Sequence, residues 1–163
     1  MKLNAATDYA FRMVLHLSGV PFGTKITGSD LAKAQSIPDR FLLKIMRNLT
    51  AAHIMQSYRG VDGGFSLQRK PKDITLLDVV EAVEGPLLLQ RCLGDVDVCT
   101  KQSGGFCSIH CVFSEMQNDF RAHLQSITFE YMAKKELEIQ KALRQDKNLT
   151  EEALMKIGFK HIG

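Results

Sequence analysis

Residues 37–68 read IPDRFLLKIMRNLTAAHIMQSYRGVDGGFSLQ, and the hydrophobic period changes partway along. From Pro38 to about Ala52 the apolar positions Leu42, Ile45, Leu49 and Ala52 recur at intervals of three and four, the period of an amphipathic helix. Pro38 suits the first turn of such a helix, where its missing N–H costs nothing. Residues 55–59 and 64–68 then read as short strands. They flank Gly60-Val61-Asp62-Gly63, the composition of a turn that needs positive φ. A helix that runs directly into a hairpin is the recognition helix and wing of a winged helix-turn-helix, provided another helix pair precedes it.

The upstream sequence supplies that pair. Residues 3–18 place Ala6, Ala10, Met13, Val14 and Leu17 on one stripe, ended by the Gly- and Pro-containing stretch 19–23. Residues 27–34 read as a short helix capped by Thr27 or Ser29, with Leu31 and Ala34 facing inward. Downstream, residues 75–84 form a further helix that begins on a threonine cap and stops at Gly85-Pro86. Residues 86–110 lack periodicity, and a loop of that length is unusual unless it is functional. One long final helix is predicted from near Cys111, with Phe113, Met116, Phe120, Leu124, Ile127 and Tyr131 on a stripe suited to a partner subunit. A small terminal helix is predicted over residues 149–157. The fold expected is mainly α with a small β-hairpin: a winged helix-turn-helix over 1–85, a cysteine-rich cluster-binding loop over 86–111, and a dimerisation helix with a C-terminal tail over 112–163.

The chain has 163 residues, 45% of them hydrophobic, enough to bury a core without disulfides. No 18-residue apolar run and no signal-peptide pattern are present, so a cytoplasmic protein without a membrane partner is expected. The net charge of +3 is unevenly placed. Residues 1–72 carry 11 Lys and Arg against 4 Asp and Glu, and residues 73–163 carry 10 against 14. A basic half points to a polyanion. Arg40, Lys44 and Arg47 lie at i, i+4 and i+7, opposite the buried stripe of their helix, as entry into the major groove of double-stranded DNA requires. At the hairpin, Arg59 beside Gly60 can reach a narrow minor groove, and Ser57 and Tyr58 offer hydroxyls to phosphates. No catalytic constellation or substrate site stands out. The glycine turn at 60–64 lacks the Lys-Ser/Thr that a phosphate loop needs, and its flanks are strands.

All four cysteines, Cys92, Cys99, Cys107 and Cys111, fall within 20 residues, and Cys107 with His110 forms a C-x2-H pair. The spacing is not that of paired CxxC zinc ribbons. From the residues alone, three chemistries fit: a metal cluster, a structural zinc, or a thiol–disulfide switch. A zinc-containing or metal-free interaction module, its basic face turned to another protein, is the alternative to a DNA-binding sensor.

The chain also resembles a known family. Met1-Lys2-Leu3 with Asp8-Tyr9-Ala10, Ile37-Pro38 leading into Phe41-Leu42, Ser57-Tyr58-Arg59-Gly60 with Gly63-Gly64-Phe65, and the helix at 78–84 before the cysteines are similar to regulators of the IscR/NsrR/RirA type (the Rrf-two family). The match extends to about residue 131. The resemblance implies a homodimer with long crossed C-terminal helices, a winged helix on operators of two-fold symmetry, and iron–sulfur ligation by Cys92, Cys99 and Cys107. The family divides over the fourth ligand. It is the C-x2-H histidine, here His110, in one branch, and an acidic residue from the partner's first helix, here Asp8, in another. Cys111 is not required by the pattern. The match at Asp8-Tyr9-Ala10 points to Asp8 and to a 4Fe–4S cluster rather than 2Fe–2S. His53 departs from the family, which has glycine at that helix end.

Overall fold

The computed structural model describes residues 3–61, 63–102 and 105–145. Helix α1 (Ala5–Ser18) starts where the Asn4 side chain accepts the Thr7 N–H at 3.0 Å, which satisfies one of the unpaired first-turn donors. Its inward face, Thr7, Ala10, Met13, Val14 and Leu17, is the stripe read from the sequence with Thr7 added. Helix α2 (Gly28–Ala34) is capped by Thr27, whose hydroxyl accepts the Asp30 N–H. Helix α3 (Asp39–Ala51) follows, with Pro38 standing just outside it at the cap. Between α2 and α3 the chain turns through Ser36 at φ 51° and buries Ile37.

Strands β1 (Met55–Tyr58) and β2 (Gly64–Leu67) pair antiparallel, Met55 opposite Leu67 and Tyr58 opposite Gly64. Ile26 adds a third strand contact by bridging to Phe65. That close approach explains Gly64, where a β-carbon would lie 2.8 Å from the Ile26 carbonyl oxygen. His53 joins α3 to β1 in the left-handed region at φ 54°, so the cap usually supplied by glycine is kept by a residue that reaches this geometry less readily.

Helix α4 (Leu76–Glu84) opens with a full capping box, Thr75 accepting the Asp78 N–H while Asp78 accepts the Thr75 N–H. It ends at Gly85, φ 84°. Its last residue, Glu84, reaches back to α1, accepting from Thr7 Oγ1 at 2.6 Å and from the Asn4 N–H at 2.9 Å. The Thr7 hydroxyl, with the Asn4 N–H second, holds the Glu84 carboxyl below the usual carboxylate range.

The single C-terminal helix expected from the sequence is two. Helix α5 (Ser108–Ser126) stops at Ile127, and helix α6 (Phe129–Gln145) begins after Thr128. The break is fixed from outside. The Leu76 N–H donates to Ile127 O, the Phe129 N–H donates to Ile74 O, and Thr128 bridges Thr75. The C-terminal part of the stripe therefore packs within its own chain rather than being left for a partner subunit. Phe129 is fully buried in the cluster formed by α1, α3, β1 and β2, and Leu124 packs with Leu77, Val80 and Leu87 in a second cluster. The helix predicted over 149–157 lies outside the described residues. Among the described residues no helix is long and apolar enough to cross a membrane.

Candidate nucleic-acid interface and cysteine segment

Helix α3 turns Ile45, Met46 and Leu49 into the core, while Leu42 and Ala52, expected there too, are half-buried. Met46 was missed because it precedes a charged residue and falls at the edge of the stripe. The opposite face carries Arg40, Lys44 and Arg47, all exposed. None of the three forms an ion pair among the described residues, and Arg40 stacks over its neighbour Phe41 at 5.0 Å. Leu43, 73% exposed, sits among these cations.

The wing tip depends on two glycines. Gly60 has φ 99°, and the Gly63 N–H donates back to Gly60 O at 3.0 Å. A β-carbon on Gly63 would lie 2.8 Å from the carbonyl oxygens of Gly60 and Tyr58. The backbone bond from Gly63 to Gly60 closes the turn, and Arg59 and Ser57 are exposed to solvent. Tyr58 differs from expectation. It is half-buried, its hydroxyl accepts from Ser66 Oγ at 3.3 Å, and Lys25 Nζ lies 4.3 Å from its ring centroid. Lys25 adds a cation that sequence reading overlooked because it sits outside the hairpin.

The cysteine segment is more ordered than an aperiodic loop. Cys92 lies in a 3-10 turn (Arg91–Leu93), and a second such turn (Val96–Val98) precedes Cys99. Cys107 caps α5, its sulfur accepting the His110 N–H at 3.3 Å. Cys111 follows one helical turn later and is exposed. His110 is half-buried, and its Nδ1 is buried without a hydrogen-bond partner among the described residues. Gly105, φ 87°, runs beside the ring, where a β-carbon would stand 3.6 Å from His110 Nε2. Asp8 is exposed on α1 and pairs with Arg12 at 2.6 Å. Among the described residues no three His, Cys, Asp or Glu side chains converge as a metal site.

The segment is tethered at its start. The Leu89 N–H donates to Gln117 Oε1 at 2.9 Å, and the Leu87 N–H donates to Glu81. Glu81 also pairs with Arg121. Residues 87–89 are thus held between α4 and α5.

Comparison with known proteins agrees with this architecture. A family model described as Rrf2, iron-dependent transcriptional regulator, matches residues 3–135. The chain belongs to the Rrf2 family. A helix-turn-helix-type transcriptional regulator of Mycobacterium tuberculosis H37Rv is 33% identical over 128 residues, 78% of each chain. Among solved structures, T. potens IscR superposes with a TM-score of 0.66 at 24% identity, covering 86% of this chain and 91% of that one. CymR, the global cysteine regulator of B. subtilis, superposes with a TM-score of 0.64 at 20% identity, covering 82% and 97%. Both are likenesses of fold, and they establish the winged helix. Members of the Rrf2 family are transcriptional regulators rather than enzymes.

Proposed function

We propose that this Rrf2 protein is a homodimeric cytoplasmic repressor that binds an operator through α3 and the wing. Through its cysteine segment it senses redox, nitric oxide or iron–sulfur status. The observation that carries the DNA reading is the exposed cationic face of α3, without an ion pair among the described residues, beside a wing that exposes Arg59. The partner subunit is supported by α5, where Ile109, Val112 and Met116 are exposed on the side that also carries Phe113 and Phe120. A contiguous apolar strip of this kind on a soluble helix points to a protein interface. For the wing, Arg59→Ala is expected to weaken operator binding by about 1–3 kcal/mol if the guanidinium enters the groove. Unchanged affinity in a titration at fixed salt would count against it.

The donor chemistry suits an iron–sulfur cluster held by Cys92, Cys99 and Cys107. For the fourth position the geometry supports His110 better than Asp8 or Cys111. His110 has a buried nitrogen beside Cys107 without a hydrogen-bond partner among the described residues, whereas the exposed Asp8 carboxylate lies in an i,i+4 pair with Arg12. A bound cluster would supply redox-active iron whose loss or oxidation is the signal. The chain supplies the coupling, because residues 87–89 tie the segment to α4 and α5 together, and α5 carries the apolar strip. A regulator of this design shifts between two dimer arrangements, only one of which spans both half-sites.

Protein purified without oxygen is expected to show broad visible absorption near 400 nm with matching iron and sulfide. Iron content per chain separates 4Fe–4S from 2Fe–2S. Cys99→Ala is expected to lose all three signals and to keep the fold. A Cys99→Ala protein with its full visible absorbance would sink the assignment. A second reading, a thiol switch without iron, is favoured by the lack of converging ligands among the described residues and by the one-turn separation of Cys107 and Cys111. It predicts a protein that stays colourless after anaerobic reconstitution.

A further inference from the structure

Leu43 is the fifth residue of α3 and is 73% exposed, with Arg40 at i−3, Lys44 at i+1 and Arg47 at i+4. Its helix buries Ile45, Met46 and Leu49 on the other side, so this leucine contributes nothing to the core. Of the large apolar side chains exposed among the described residues, Leu43 is the one that lies on α3. Three cations and one carboxylate, Asp39 at i−4, surround it, and a protein partner would have to desolvate them all. The cations select a polyanion instead, and the major groove of DNA offers one apolar group, the C5 methyl of thymine. In a helix-turn-helix the N-terminal part of the second helix is the part that reaches base edges, and Leu43 lies in that part.

From this charge complementarity we propose that Leu43 is a specificity-determining residue that packs its side chain against a thymine methyl in each half-site. The inference rests on the reading of α3 as the DNA-binding helix and extends it to one base. The surrounding cations hold the helix on the phosphates whatever the sequence. Leu43 adds no charge and no hydrogen bond, so it changes which sequence is bound without changing the salt dependence of binding.

The test uses the full chain and a duplex library with a randomised core, from which the preferred half-site is selected. Each thymine of that half-site is then replaced in turn by uracil, which removes the methyl alone. The expected result is one position per half-site where uracil weakens wild-type binding by about fourfold, the worth of one buried methylene-sized group. Leu43→Ala, a surface change to a stronger helix former, is expected to bind the thymine and uracil duplexes equally and to keep the wild-type salt dependence. A selected half-site without thymine overturns the assignment. So does a thymine-to-uracil ratio of one at every position in the wild type, or a ratio that persists in Leu43→Ala. A wild-type protein that binds no duplex even at low salt overturns the DNA reading of α3, and this proposal falls with it.

Discussion

Replacing Phe129 with alanine is expected to lower the unfolding free energy by about 3–5 kcal/mol, the usual range for truncating a buried aromatic. At this chain length that corresponds to a fall in Tm of roughly 6–20 °C. Phe129 is the first residue of α6, yet its ring is fully buried in the core of the DNA-binding half, with Phe11 at 6.4 Å between ring centroids. Its N–H donates to Ile74 O, and the neighbouring Leu76 N–H donates to Ile127 O. The side chain and the backbone therefore pin the same point, the junction of α5 and α6, against the turn that leads into α4. Leu143, farther along α6 and 45% exposed, supplies the contrast, since its truncation to alanine removes little buried surface and should cost well under half as much. Denaturant titration at fixed protein concentration measures both, and the concentration must be held because dimerisation adds to apparent stability. A loss at Phe129 below about 1 kcal/mol would mean that α6 does not seat in this core. The α5–α6 junction could then not register movement in the N-terminal half.

That junction is also where sequence reading went astray, for a physical reason. The stripe Phe113, Met116, Phe120, Leu124, Ile127, Tyr131 keeps helical spacing straight through the break. Periodicity reports which face of a segment is apolar. It carries no information about backbone hydrogen bonds made to a strand contact more than fifty residues away in the chain. A local sign was available in Thr128, whose hydroxyl accepts the Tyr131 N–H at 3.3 Å as an N-cap, and in the β-branched pair Ile127-Thr128, which weakens helix propensity. By contrast, α1, α2, α3 and α4 were legible because each pairs a single apolar stripe with a side-chain cap or a proline at its start. The wing was legible because its turn holds Gly60 at positive φ and leaves no room for a β-carbon at Gly63. The basic face of α3 followed from spacing alone. Leu43 followed only by exclusion, since the stripe takes Leu42 and the period says nothing of what an apolar residue off the stripe does. In the cysteine segment the residue types were informative, whereas the pairing of Asp8 with Arg12 and the isolation of His110 Nδ1 depend on how α1 and α5 are placed.

Removing the charges of α3 together, as Arg40→Ala, Lys44→Ala and Arg47→Ala, is expected to flatten the salt dependence of DNA binding more than any other change on this surface. Each phosphate contact releases condensed counterions and contributes about 0.9 to the slope of log affinity against log salt. Three such contacts give about 2.7 per subunit, so between 50 and 200 mM salt the wild type should lose about 40-fold more affinity per subunit than the triple variant. The side chains are exposed and make no ion pairs among the described residues. Their removal should therefore leave stability nearly unchanged, which thermal unfolding of the same samples checks. The size of the slope change also separates two roles. If all three cations sit on phosphates, the slope falls by the full amount and sequence preference is preserved. If one reads guanine through a bidentate contact, the slope falls by nearer 1.8 per subunit, and discrimination at one base pair is lost as well. A fall of less than 1 would place α3 off the backbone. Lys25, over the Tyr58 ring, and Arg59, at the wing tip, would then be the cations that hold the DNA, and the orientation of the recognition helix would have to be redrawn around the wing.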